Sequence, residues 1–168
     1  MIVISDTTPI ISLIKINRID LLKKLFGEVF IPETVFKELT TNLVFKNESE
    51  IVKSATFLKT VKVKNLKSLK ILQSTSGLGA GESEAIILAD ELKSDVLIID
   101  ERRGRKVAKN LGIAITGTAG ILIQSYDEKL LSSTEVKQCL EHLKNSNIRL
   151  SDLLIQEVLS LLQDYGDF

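Results

Sequence analysis

The stretch Asp95-Val96-Leu97-Ile98-Ile99-Asp100 sets four apolar residues in a row between two aspartates. A half-exposed strand alternates apolar with polar residues, so an unbroken run describes a strand covered on both faces, as in a parallel sheet between layers of helices. Ile2 to Ser5 repeats the pattern: a short β-branched run stops at Asp6-Thr7-Thr8-Pro9, and an apolar period near 3.6 takes over through Ile10, Leu13 and Ile14. Strand, acidic turn and helix thus follow one another twice.

The rest of the chain alternates in the same way. Asn17 is placed to cap a second helix, which carries Leu21, Leu22 and Leu25 and stops at Gly27. Val29-Phe30-Ile31 reads as a strand, and Pro32 suits the first turn of a helix from Glu33 to about Thr40. A helix near Glu48 to Ala55, a strand near Phe57 to Val63 and a Lys/Ser/Leu-rich stretch open to helix or loop come next. Glu82 to Lys93 and Glu101 to Leu111 are helices on either side of the apolar strand, Ile113 to Thr116 is a last strand, and Gly117-Thr118-Ala119-Gly120 opens another helix. Amphipathic helices near Thr134 to Lys144 and Ser151 to Gln163 follow. Right-handed crossovers then require an α/β, three-layer α/β/α fold with a mostly parallel central sheet and added C-terminal helices. The expected organisation is one domain over residues 1–131, with 132–168 a helical extension packed on it.

Composition narrows the chemistry. Of 168 residues 44% are hydrophobic, enough for one buried core. No apolar run approaches the roughly 20 residues of a membrane span, and the N-terminus lacks the features of a signal peptide, so no membrane association and a cytoplasmic location are expected. A single cysteine, Cys139, and a single histidine, His142, rule out a disulfide, a thiolate metal cluster and a multi-imidazole site. Basic and acidic residues balance at 22 each, so nucleic acid would have to meet a local patch. Arg102, Arg103, Arg105, Lys106 and Lys109 offer one, although a run of charge also serves simply as a solvated helix face.

Ligands of such sheets gather beyond the carboxyl ends of the strands. Asp6 and Asp100 each follow a strand directly, Glu82 and Glu84 open a buried helix, and Glu38 lies late in another. Taken singly these are helix caps, dipole partners or surface charges. Taken together they repel one another and call for a hard divalent cation with oxygen ligands, Mg²⁺ or Mn²⁺. Such ions activate water for phosphodiester hydrolysis. Thr7 and Thr8 are placed to steady the Asp6 loop through hydroxyl-to-backbone bonds, Thr118 to meet a phosphate at the start of its helix, and the arginines with Lys106 to hold phosphates.

In order and spacing, Ser5-Asp6-Thr7-Thr8-Pro9, Phe30 to Leu39, Gly81-Glu82-Ser83-Glu84-Ala85-Ile86, Ile99 to Arg105 and Ile115 to Gly120 resemble the PIN-domain nucleases, within them a bacterial and archaeal subgroup of uncharacterised proteins. The likeness spans Ile2 to about Leu131, and Asn147-Ile148-Arg149-Leu150-Ser151 resembles the same subgroup. The resemblance implies a parallel sheet with the first strand central, Mg²⁺ or Mn²⁺ as cofactor, and cleavage of RNA or other single-stranded nucleic acid. It also implies a toxin-like ribonuclease with an antitoxin protein as partner and a homodimeric state. Position by position, the family's acids match Asp6, Glu38, Glu84 and Asp100. Glu82 is extra: the related flap endonucleases use both glutamates of a Glu-x-Glu-Ala arrangement, so Glu82 is an added or alternative ligand. Glu101-Arg102-Arg103-Gly104-Arg105 departs from members that carry a phenylalanine there.

Two rival functions stand beside a metal-dependent endoribonuclease. Gly77, Gly79 and Gly81 resemble a nucleotide-binding loop, but they lack dinucleotide spacing and the Gly-Lys-Ser/Thr of a phosphate loop. The other rival is a catalytically inactive nucleic-acid-binding or interaction protein of the same fold.

Overall fold

A computed structural model describes residues 1–42, 44, 46–146, 148 and 150–164. Asn147 and Arg149 of the Asn147-to-Ser151 motif lie outside them.

Among the described residues the sheet holds five strands, β1 (Val3–Ser5), β2 (Val29–Pro32), β3 (Leu58–Val61), β4 (Val96–Ile98) and β5 (Ile115–Thr116). All pairings are parallel, in the order β3-β2-β1-β4-β5. The chain works outward from β1 to β3, then crosses back through α5 (Leu66–Ser76) and α6 (Ala80–Glu91) to place β4 on the other side of β1. Strand order therefore reverses between β1 and β4, where Ser5 faces Ile98 in register. Asp6 and Asp100 leave the sheet at this switch point, where the strand ends open a crevice.

The unbroken apolar runs are explained by two cores, one on each face of the sheet. Val3, Val29, Ile31 and Ile98 point into one, with α1 (Thr7–Lys15), α2 (Asp20–Phe26), α8 (Thr118–Asp127), α9 (Ser133–Asn145) and α10 (Asp152–Asp164). Ile4, Leu97 and Ile99 point into the other, with α5, α6 and Ala108 of α7 (Arg102–Asn110). Alternate residues of one strand thus serve opposite cores, and both sets must be apolar. Val136, Leu140 and Leu143 of α9 and Val158 and Leu162 of α10 share the first core with α1. Cys139 is buried there and His142 is exposed. Among the described residues no helix is long and apolar enough to cross a membrane.

Several local expectations change. Asn17 does not cap the second helix: it takes a positive φ of 57° just after α1, and α2 begins only at Asp20. An amide side chain tolerates either position, and the need to turn the chain decided between them. Pro32 ends β2 and sits at the N-cap of α3 (Glu33–Thr41) rather than inside its first turn. The open stretch before the glycines is helix α5, capped by the Asn65 side chain, which accepts from Ser68 N at 3.0 Å. The remaining helix, α4, runs Lys46–Ser54.

Candidate active site

Asp6 anchors the site. Its own amide donates to Ile98 O at 3.0 Å, which fixes the end of β1 against β4, while the residue is 2% exposed and its side chain makes no N-cap hydrogen bond to α1. Burial above all, with the neighbouring Thr7 amide opposing and the charges of Glu82, Glu38 and Asp100 adding to it, pushes its carboxyl up to about 7. An aspartate at the end of a central strand is thus opposed by acids from three other elements. That arrangement is electrostatically unfavourable without positive charge among them.

Each surrounding acid is held from its own element. Asp100 accepts from Thr118 twice, from the amide at 2.7 Å and from the hydroxyl at 2.6 Å, which ties β4 to the start of α8. Gly117 leaves the space, since a Cβ there would lie 2.6 Å from Asp100 Oδ1. Glu38 accepts from the Thr7 hydroxyl. Gly81, buried in the first turn of α6, lies against that carboxylate, and a Cβ would come within 2.7 Å of Glu38 Oε2 and 2.8 Å of Oε1. Glu38 therefore faces inward, although Lys37 beside it is exposed.

The two glutamates of α6 separate. Glu82 turns toward Asp6: its Oε2 accepts from Gly79 N at 3.2 Å, while its Oε1 is buried with no donor. Burial raises its pKa, and Glu101, which opposes it directly, and Glu38 raise it too. Glu101 goes the other way: burial works against its charge, but the amides of Gly104 and Arg103 hold it below the usual carboxylate range. Glu84 points instead to α3, where its Oε2 accepts from Thr34 N at 3.2 Å in the first turn. A carboxylate there satisfies a free amide and complements the helix dipole. At 100° per residue, positions 82 and 84 are about 200° apart on the helix, and here the two side chains take different partners.

The glycines have conformational work. Gly77 ends α5 at φ 67°, Gly79 is the N-cap of α6, and Gly81 makes room for Glu38. The Gly79 amide is already given to Glu82, so this turn offers a phosphate a carboxylate in place of a nest of free amides.

The supporting threonines are placed as follows. The Thr7 hydroxyl serves the Glu38 carboxylate rather than backbone. Thr8 is exposed at the rim of a groove beside Asp100. Thr118 is spent on Asp100 and does not present a phosphate-binding hydroxyl. Of the cations, Arg103 donates to Gly77 O at 3.2 Å and Arg105 to Ile99 O at 2.8 Å, so both brace the crevice wall, while Arg102, Lys106 and Lys109 are exposed. Glu101 had only an indirect signal in the sequence, its position beside Asp100.

Among the described residues no three His, Cys, Asp or Glu side chains are drawn together closely enough to enclose an ion as they stand. The donor chemistry nonetheless fits a hard divalent cation. Asp6, Glu38, Glu82 and Asp100 offer only oxygen, Glu82 keeps a buried oxygen without a donor, and each acid gains from positive charge among them.

A family model described as DUF3368, a PIN domain, matches residues 2–164 of this chain. No curated protein matches it.

Proposed function

This chain belongs to the PIN-domain family, a nuclease-type fold family, and from that premise we propose that it is a metal-dependent endoribonuclease or single-strand nuclease. The observation that carries the reading is the buried Asp6 carboxyl at the switch point, opposed by Glu38, Glu82 and Asp100. These four residues would hold Mg²⁺ or Mn²⁺. When bound, the ion supplies a water made acidic enough to attack and a counter-charge for the phosphodiester oxygens. The protein's own part is positioning: Thr118 keeps both Asp100 oxygens oriented, Thr7 orients Glu38, and Gly79 orients Glu82. Glu84 acts at one remove by holding the amino end of α3, the helix that carries Glu38.

The purified chain with Mn²⁺ is expected to cut single-stranded RNA or DNA, and EDTA to stop it. Failure to cut either strand with Mn²⁺ or Mg²⁺ would favour the inactive binding protein. Should the chain be a toxin, an antitoxin partner or a homodimer would raise the mass of the native particle above 18.6 kDa, which light scattering reads directly.

Gly81→Ala tests the cradle of Glu38. Alanine gains up to about 1 kcal/mol over glycine inside a helix, and its Cβ can push only the end of the Glu38 side chain aside. The expected variant melts within about 1 kcal/mol of wild type, yet cleaves roughly 10- to 100-fold more slowly because one carboxylate is displaced. Wild-type kcat/KM in this variant would remove Glu38 from the chemistry.

A further inference from the structure

The net charge of zero conceals two segments of opposite sign. Residues 51–81 hold six lysines and no Asp or Glu, whereas residues 150–168 hold four acids and no lysine or arginine. Each segment supplies one surface helix, α5 and α10. Leu69 fixes α5 on the core that takes Ile4, Leu97 and Ile99, and Val158 and Leu162 fix α10 on the core that takes Val3 and Ile98, so the two helices lie on opposite faces of the sheet. Both keep apolar side chains on their outer sides. On α5, Leu66 and Ile71 are exposed together with Lys67 and Lys70. On α10, Leu153 and Leu161 are exposed with the exposed Glu157 midway between them, and the three line a shallow groove of about 500 Å³ with Gln156 and Ser160. Lys67, Lys70 and Glu157 enter no salt bridge among the described residues.

Exposed apolar rows rimmed by polar residues are a mark of interaction surfaces, and here the two rims carry opposite charge. The rows also match in pitch: Leu66, Lys70 and Ser74 are spaced by four, as are Leu153, Glu157 and Leu161. Laid together in either direction, they bring Lys70 to Glu157 and set leucine beside leucine at one end. A symmetric pairing of α10 with its own copy would instead set Glu157 against Glu157. We infer that the α5 face of one copy docks on the α10 face of a second copy of this chain, a head-to-tail contact between unlike surfaces. Because the two helices lie on opposite faces of the sheet, a pair of copies makes the contact once and leaves one α5 face and one α10 face free. Association therefore continues past two chains, as heterologous contacts do. The contact uses none of the four carboxylates of the candidate active site.

The test is sedimentation velocity of the full chain. In low salt the mass should climb with protein concentration past twice 18.6 kDa, and it should fall back toward one chain at about 1 M salt, where charges are screened beyond about 3 Å. Lys67→Glu with Lys70→Glu, and separately Glu157→Lys, should each weaken association by about tenfold or more, since like charges then face each other. Mixing the two variants should restore it, because the acidic α5 of the first then meets the basic α10 of the second. Leu153→Gln changes no charge and should weaken association about fivefold through lost apolar contact. Thermal melts of all these variants should match wild type, every altered position being exposed. A wild-type mass fixed at one chain would overturn the inference and leave both faces to other partners. A closed pair that grows no further, association unmoved by any one of the variants, or no recovery on mixing would overturn it as well.

Discussion

Replacing Asp6 by asparagine should sharply reduce phosphodiester cleavage and, in EDTA at pH 8, make the protein more stable. The side chain is 2% exposed and its carboxyl is pushed up from 3.8 to about 7, first by burial and then by Glu82, Glu38 and Asp100. A group whose folded pKa is raised contributes stability that is fully present below its unfolded value and is lost as pH rises through the folded one. Between pH 4 and pH 7 the wild-type protein thus gives up a contribution on the order of 2–4 kcal/mol, since one unit is worth about 1.4 kcal/mol. Asparagine keeps the shape without the charge, so urea unfolding should show a gain of up to that size at pH 8, shrinking toward zero at pH 4. Cleavage should fall by about 10²-fold or more, as when a group aimed at developing charge is removed. Saturating Mn²⁺ should offset much of that gain: a ligand at 100 times its Kd adds about 2.7 kcal/mol to the form that binds it. A variant less stable than wild type in EDTA at pH 8, or one that cleaves normally, would show that Asp6 is only a packing residue.

The second large effect separates the glutamates of α6. Glu82→Gln is expected to lower kcat by about 10²-fold with unchanged or slightly increased stability, because a half-buried carboxylate opposed by Glu101 and Glu38 loses its charge. Glu84→Gln should do the opposite: stability falls by about 0.3–1 kcal/mol as the α3 amino terminus loses its anion, while kcat stays within a few-fold of wild type. Thermal melts and single-turnover cleavage on the two variants decide the matter. Loss of cleavage in Glu84→Gln with retention in Glu82→Gln would return the principal role to Glu84. A joint loss would make the two glutamates act together.

These outcomes bear on how far residue order alone reaches. The apolar runs ending at Asp6 and Asp100 required strands buried on both faces, and hence a parallel sheet between helices. Local chemistry also placed most helices, because caps, glycine stops and apolar periods act within a few residues. It failed where two local solutions cost about the same. Asn17 can cap a helix or take a positive φ, and the chain used the second to turn out of α1.

The site was less legible. Glu82 and Glu84 sit on a helix apolar on most sides, with Ala85, Ile86, Leu88 and Ala89 all buried, so there is no polar face to tell which glutamate meets the crevice. Thr7 and Thr118 have hydroxyls that bond equally well to backbone, phosphate or carboxylate. Their real partners, Glu38 and Asp100, are 31 and 18 positions away. Gly81 did carry a signal, a glycine inside a helix start, but its meaning depends on Glu38 arriving from another element.

The sequence by itself determined which acids leave strands and helices at one edge of a parallel sheet, because burial on both faces and local helix signals are properties of short segments. The tertiary structure alone decided that β1 and β4 lie side by side, that Glu82 turns inward while Glu84 holds α3, and that Thr118 closes on Asp100. Those outcomes depend on strand order and helix rotation, which are set by packing between residues far apart in the chain and leave no periodic trace within any one segment.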